Sequence, residues 1–229
     1  MSVFNQCFEK HSFDELNDID VTLFHRALDF CIRNCNINPK GHFFDIGTNA
    51  GSFVKIASRY TFNNMHCFEP HPVISKQTKI VYPNIIMNEY CLGNNDGTVD
   101  IHIPHHSVGL SSIIDRPVFK VLGQDIHMLN VKMEKLDTYC ETNNISEIEI
   151  MKIDVEGAEK MIFDGAAKML SSNKIKCGLF EIGQTLYDAN TSEVEIVSLL
   201  EKYGYKINKS VDPGNYIFYL PRYTDQREK

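Results

Sequence analysis

Two groups of residues in this chain have the types and spacing of a chemical site. The first is Phe43-Phe44-Asp45-Ile46-Gly47-Thr48-Asn49-Ala50-Gly51, where an apolar run meets an acid and then two glycines spaced to turn the chain into a helix near Ser52. Glycine permits close backbone approach to a large ligand, and the first turn of a helix leaves N–H groups without intrahelical partners. About twenty residues on, a second apolar run, Met65-His66-Cys67-Phe68, ends in Glu69. An acid at the tip of the second strand of a βαβ unit is placed to bind the hydroxyls of a ribose. The second group, Lys152-Ile153-Asp154-Val155-Glu156-Gly157-Ala158-Glu159, ends another apolar run, and Glu181 ends a further one. Carboxylates collected at strand ends supply proton acceptors and oxygen ligands. The combination reads as a nucleoside-cofactor site beside acidic residues. The competing reading of the loop alone is a tight strand-to-helix turn with no ligand, and Glu69 in register weighs against it.

Glycine spacing selects the nucleoside. A dinucleotide site uses G-x-G-x-x-G to admit a pyrophosphate, but here those positions hold Gly47, Asn49 and Ser52. The D-x-G-x-N-x-G pattern instead resembles motif I of class I S-adenosylmethionine-dependent methyltransferases. That cofactor has no phosphate to cradle, and its cationic sulfonium and amino groups suit an acid, Asp45, at the mouth of the loop.

The elements that must position these residues follow from hydrophobic period. Leu23, Phe24, Ala27, Leu28, Phe30 and Cys31 recur at helical spacing between Asp20 and Asn34, so residues 1–38 are expected to form a helical cap. Packing, rather than acceptor recognition, is the simpler role for that helix. Strands are expected at 42–46, 65–68, 84–92, 98–103, 148–153 and 176–180, with a closing pair at 205–209 and 216–220 too close together for a helix between them. Helices are expected at 52–59, 72–81, 158–170 and 193–203, with a short one capped by Asp137. Strands alternating with helices imply a mostly parallel sheet covered on both faces. Residues 104–130 show weak periodicity and contain His105, His106 and His127. A connection that long inside a compact domain suggests a functional lid near the active site.

Taken in order, Phe44 to Gly51, Phe68-Glu69-Pro70-His71-Pro72, Leu136 to Tyr139, Lys152 to Glu159 with Phe163-Asp164-Gly165, and Glu181 closely resemble the FkbM family of methyltransferases. Ser111-Ser112 after Gly109-Leu110 also resembles a serine-bearing segment of the family. The resemblance implies one Rossmann-like α/β domain over 1–229, with a core from residue 39. Its sheet would be mostly parallel and seven-stranded, with helices on both faces and a terminal antiparallel hairpin. It also implies an O-methyltransferase using S-adenosylmethionine, released as S-adenosylhomocysteine, and acting on a sugar hydroxyl of a glycan or glycoconjugate, a deoxyhexose among the options. One departure is Gly183 after Glu181-Ile182, where many relatives carry histidine, so no role of that histidine transfers.

On this reading Asp45, Gly47, Asn49, Gly51, Ser52 and Phe53 surround the methionine part of the cofactor, and Glu69 binds the ribose. Pro70, Asn88, Cys91 and Leu92 lie near the adenine. Asp154 is the first choice of general base, its alternative being to anchor the cofactor amino group or a loop amide. Glu156 orients the acceptor or caps the next helix, and Glu181 shares the pocket or pairs with Lys152. His105 is an alternative base. Asp154 and Glu181, with His105 or His106, are also candidate ligands for magnesium, although no ligand spacing is as specific as a zinc motif.

With 229 residues, 43% of them hydrophobic, the chain can bury a full core, and a formal charge of −7 argues against a nucleic-acid surface. Cysteines 7, 31, 35, 67, 91, 140 and 177 form no C-x-x-C pair, and most read as buried thiols in a reducing compartment. Without a signal-peptide pattern or membrane-length apolar run, a cytoplasmic location is expected. Three other readings were weighed. An RNA ribose 2'-O-methyltransferase is disfavoured by charge, and a non-catalytic binding domain by the intact motifs. A nicotinamide oxidoreductase is disfavoured by Asn49 and Ser52.

Overall fold

A computed structural model describes residues 18–105, 107–121 and 125–221. Its main sheet is built from β1 (His42–Ile46), β2 (Asn64–Phe68), β3 (Ile86–Asn88), β7 (Ile148–Ile153), β8 (Ile175–Glu181), β9 (Lys206–Asp212) and β10 (Asn215–Tyr219), in the order β3-β2-β1-β7-β8-β10-β9. The first five run parallel, β10 runs antiparallel to β8, and β9 to β10. The expected mostly parallel seven-stranded sheet with a terminal hairpin is therefore present.

Central strands are apolar because both faces are covered. In β7 every residue is buried, Glu149 and Lys152 included. Glu149 is compensated by Lys176 at 2.8 Å and by the Asn38 N–H at 2.7 Å. On one face lies α1 (Asp18–Asn34), whose Leu23, Phe24, Ala27, Leu28 and Cys31 are buried against α2 (Ser52–Ala57) and the sheet. The other face is covered by α5 (Leu136–Thr142), α6 (Glu159–Gly165), α7 (Ala167–Ser171) and α9 (Glu193–Lys202), around a core containing Phe44, Phe163, Phe180 and Phe218. Helix α3 (Pro72–Val81) matches its expected bounds, with Pro72 opening the helix and His71 accepting from the Val73 and Ile74 N–H groups.

Four local expectations need correction. The apolar run 84–92 is two strands, because β4 (Cys91–Gly93) leaves β3 to join a second, three-stranded sheet, β4-β6-β5. In that sheet β5 (Gly97–Pro104) pairs antiparallel with β6 (Ile126–Lys135), so residues 126–130 begin a strand rather than end a lid. The helix expected over 158–170 breaks at Ala166. At Gly165 a Cβ would lie 1.9 Å from the Gly93 carbonyl oxygen, so the helix packs directly on β4 there. Asp137 does not cap its own helix; Lys135 is the N-cap residue, and the Asp137 carboxylate accepts from the Lys168 and Met169 N–H groups at the start of α7.

Between β5 and β6 the chain makes a 3-10 turn (Val108–Leu110), pairs Ser112 with His102, and forms α4 (Pro117–Val121). Another short helix, α8 (Gln184–Asp188), follows β8.

Candidate active site

The first motif is a loop in which conformation dictates residue type. Gly47 sits at φ +77°, and a Cβ there would lie 1.8 Å from the Asp154 carbonyl oxygen. Gly51, at φ +83°, lies against the Tyr82 ring. Thr48 holds the loop to β2, donating from Oγ1 to the Asp45 carbonyl at 2.8 Å and accepting from the Phe68 N–H at 3.1 Å. From α3, Thr78 donates to the Asn49 carbonyl at 2.7 Å.

Glu69 is the best-formed element of the site. One carboxylate oxygen accepts from the Asn49 N–H at 2.9 Å and the other from the His71 N–H at 2.8 Å. Each oxygen retains acceptor capacity for a ligand hydroxyl. Burial pushes this carboxyl up to about 7, against the lowering effect of those two bonds. Glu69 borders a cavity with Gly47, Asn49, Pro70, Cys91, Leu92 and Asp154. Val108, Gly109, Ser111 and Ser112, from the segment between β5 and β6, line the same cavity.

A second cavity shares Gly47, Asn49, Asp154 and Glu156 with the first. Ser52, Phe53, Lys152 and Glu181 line it, with Leu23 and Phe24 from α1 and Asn215 from β10.

Beneath the shared wall lies a buried ion pair. Lys152 Nζ is 3.2 Å from Asp45 Oδ1 and 3.5 Å from Asp154 Oδ2, and donates to the Gly47 carbonyl at 2.6 Å. Burial alone would lower this ammonium, but the Asp45 and Asp154 charges outweigh it and hold it above the usual lysine range. Asp45 is fully buried and pushed up to about 6 by that burial, with Lys152 pulling the other way.

The loop after β7 is equally constrained. Glu156 adopts φ +56° and Gly157 φ +107°. Buried Glu159 accepts from the Val155 and Gly157 N–H groups, closing the loop from below. From above, Ser112 Oγ donates to the Glu156 carbonyl at 2.8 Å, and Arg116 Nη1 donates to Glu156 Oε2 at 2.8 Å. The same guanidinium reaches Asp188 on α8 from Nε at 3.4 Å. Burial, then repulsion from Asp154 and Glu181, pushes the Glu156 carboxyl up to about 7 against the pull of Arg116. Asp154, Glu156 and Glu181 bring one oxygen each within 4.8 Å of one another. This all-oxygen set is of the kind hard cations take, but Lys152 and Arg116 already place two cations beside it.

The structure thus gathers Gly47, Asn49, Glu69, Pro70, Cys91, Leu92, Asp154 and Glu156 around one cavity, and Ser52, Phe53 and Glu181 around the adjoining one. It does not bring every expected residue to a cavity wall. Asp45 lies under the loop rather than at its mouth, and Gly51 serves the turn. The Asn88 side chain donates to the Cys67 carbonyl and the Tyr139 hydroxyl, while the Asn88 backbone carbonyl accepts from the Glu69 N–H, so the residue supports Glu69 from behind. His105 lines neither cavity, and its N–H donates to the Asp125 carbonyl; Glu156 stands with Asp154 and Glu181 where a histidine was expected. His106 lies outside the described residues. Burial pushes the Cys91 thiol up to about 12, in keeping with a wall residue rather than a nucleophile. Sequence reasoning missed Arg116, Asp188, Leu23, Phe24 and Asn215, whose roles arise only from long-range contacts.

Comparison with known proteins bears on this site. A family model described as the methyltransferase FkbM domain matches residues 45–207, more than half of the chain. A search of curated proteins found no match. Among solved structures, a SAM-dependent methyltransferase from Leishmania major aligns at 8% identity, covering 95% of this chain and 82% of that one, with a TM-score of 0.46. The glycine loop, Glu69 and the acidic loop all fall inside the matched span, and the chain belongs to the FkbM family of S-adenosylmethionine-dependent methyltransferases.

Proposed function

We propose that this protein is an O-methyltransferase that methylates a hydroxyl of a carbohydrate or glycoconjugate. The observation that carries the reading is the abutment of two cavities at Asp154, with the ribose-type carboxylate Glu69 in the first and further carboxylates in the second. The first cavity fits S-adenosylmethionine by the chemistry of its walls. Glu69 offers paired acceptors for a ribose diol, and Phe68, Ile74, Leu92 and Ile101 form an apolar surface suited to a purine.

When bound, the cofactor supplies an electrophilic methyl group, whose bond to sulfur breaks as the acceptor oxygen bonds to carbon. The chain contributes alignment, which for well-oriented reactants is worth ~7–11 kcal/mol. The Gly47 loop and Glu69 fix one partner, and the shared wall sets the distance to the other. A sugar hydroxyl must also lose its proton, and Asp154, on the wall common to both cavities, is placed to accept it. Glu156 and Glu181 orient the hydroxyls beside it. No helix among the described residues is long and apolar enough to cross a membrane.

The test is Asp154→Asn. We expect methyl transfer to a carbohydrate acceptor to fall by about 10²–10⁴, with S-adenosylhomocysteine affinity within about threefold of wild type, since Glu69 is untouched. Full activity would remove Asp154 as base. Failure of the wild-type chain to bind S-adenosylhomocysteine in calorimetry would sink the assignment of the first cavity.

A further inference from the structure

We propose that the second cavity is an acceptor site selective for carbohydrates that carry no acidic group, and that Leu23, Phe24 and Asn215 set its shape. This rests on the methyltransferase reading above. With Glu69 confined to the first cavity, the reacting end of a cofactor whose ribose it holds falls at the shared wall of Gly47, Asn49, Asp154 and Glu156. A reaction partner must then approach from the second cavity, so Ser52 and Phe53, expected from the sequence at the methionine part of the cofactor, are on this reading walls of the acceptor site.

The walls of that cavity define a chemical class. Phe24 and Phe53 meet edge-to-face, with ring centroids 5.4 Å apart, and although both rings and Leu23 are mostly buried in the core, the edges they show to the cavity make an apolar corner. Such a corner suits the C–H face of a sugar ring. Asp154, Glu156 and Glu181 line the same cavity, and when ionised they accept hydrogen bonds and cannot donate them. The neighbouring cations are engaged. Lys152 is held among Gly47, Asp45 and Asp154, and Arg116 between Glu156 and Asp188. A hydroxyl or amine therefore finds partners here, whereas a carboxylate or phosphate meets like charge and is rejected. The same logic rejects a nucleic-acid backbone.

The shape-setting residues come from outside the matched family span of 45–207. Leu23 and Phe24 belong to α1, and Asn215 opens β10 directly across the ladder from Glu181. The matched core is here closed by parts from outside that span, which is where acceptor choice would be encoded.

The experiment is saturation-transfer NMR on the full chain with saturating S-adenosylhomocysteine. The probes are methyl glucoside, methyl glucosaminide and methyl glucuronide, which differ in carrying no charge, an amine or an acid. We expect the first two to bind, and the glucuronide to bind at least tenfold more weakly. Phe24→Ala should cut the glucoside signal at least fivefold while S-adenosylhomocysteine affinity stays within twofold. Asn215→Lys, which adds a cation beside Glu181, should bring glucuronide binding to within threefold of glucoside; being a gain, it is not mimicked by misfolding. Equal binding of glucoside and glucuronide by wild type overturns the proposal, as does an absence of any carbohydrate signal while S-adenosylhomocysteine binds. Parallel loss of S-adenosylhomocysteine and glucoside binding in a folded Phe24→Ala protein also overturns it, by assigning the second cavity to the cofactor. No S-adenosylhomocysteine binding by wild type instead refutes the cofactor assignment beneath it.

Discussion

Replacing Arg116 by Ala tests whether the segment between β5 and β6 and the acidic loop behave as one electrostatic unit. Arg116, Glu156 and Asp188 have side-chain exposures of 7%, 18% and 11%, with contacts of 2.8 Å to Glu156 and 3.4 Å to Asp188. Removing one partner of a buried pair typically costs ~3–5 kcal/mol. The Asp188 contact is long, and Glu156 borders a cavity where water can return, so we take the lower end, ~3 kcal/mol at pH 8. For a chain of this size that is a fall in Tm of ~6–12 °C. The loss should depend on pH. Burial, with Asp154 and Glu181, raises the Glu156 carboxyl from an unfolded value of 4.5 to about 7. Below pH 7 the folded protein increasingly carries a proton there, and the Arg116 contact weakens to a neutral hydrogen bond. The penalty at pH 6 should therefore shrink to ~1–2 kcal/mol. Thermal melts of wild type and Arg116→Ala at both pH values read this directly, with Arg116→Lys expected in between because it keeps the charge but loses the fork. A fall below 2 °C at pH 8, or the same fall at both pH values, would refute the coupling.

Three further outcomes are expected. Glu69→Ala removes two ribose contacts at ~1.5–3 kcal/mol each, part of which water restores, so S-adenosylhomocysteine should bind about 100-fold more weakly by calorimetry; unchanged affinity would end the ribose assignment. Gly47→Ala places a Cβ 1.8 Å from the Asp154 carbonyl at φ +77°; with ~1–2 kcal/mol for the left-handed backbone alone, Tm should fall by at least ~4 °C, and a smaller change would mean that the loop relaxes freely. Burial raises Glu69, Glu156 and Glu159 to about 7, so the folded chain binds protons more readily than the unfolded one and urea-measured stability should rise from pH 8 to pH 6. His66, lowered to about 4 by burial, opposes this only below its unfolded value of 6.5; a flat or falling profile, or one that Glu159→Gln leaves unchanged, would contradict the sign.

What the sequence reveals about this site follows a physical division. Gly47, Gly51, Glu69 and the Asp154–Glu159 loop are legible because local geometry restricts residue type: a positive φ, a backbone approach of 1.8 Å, or an acid at a strand tip. The parallel strands are legible because strands buried on both faces are continuously apolar. Strand β6 is not, since its His127, Asn130 and Lys132 are polar and exposed and its stability comes from pairing with β5. The break between β3 and β4 hides inside one apolar run because what separates them is the choice of partner sheet. Arg116 is silent in sequence for the same reason, as its partners lie 40 and 72 residues away. The misplaced role of Asp45 has a related cause. An acid before the glycine marks the site, but only the position of Lys152 shows that it works from beneath.

That buried pair joins the two halves of the site. The Lys152 ammonium holds the Gly47 carbonyl, Asp45 and Asp154 together, so the loop that cradles one ligand and the carboxylate on the shared wall move as one body. The acids around them lie in a setting where water has been withdrawn, which is why Glu69 and Glu156 resist ionisation. Under the proposed function this arrangement favours a ligand with a positive charge at the shared wall, because a cation there offsets the desolvated carboxylates. Methyl transfer would remove that charge, since a bound sulfonium would become a neutral thioether. The electrostatic contribution to binding would then be lost as the product forms, and the same carboxylates would hold the charged cofactor more tightly than what it becomes.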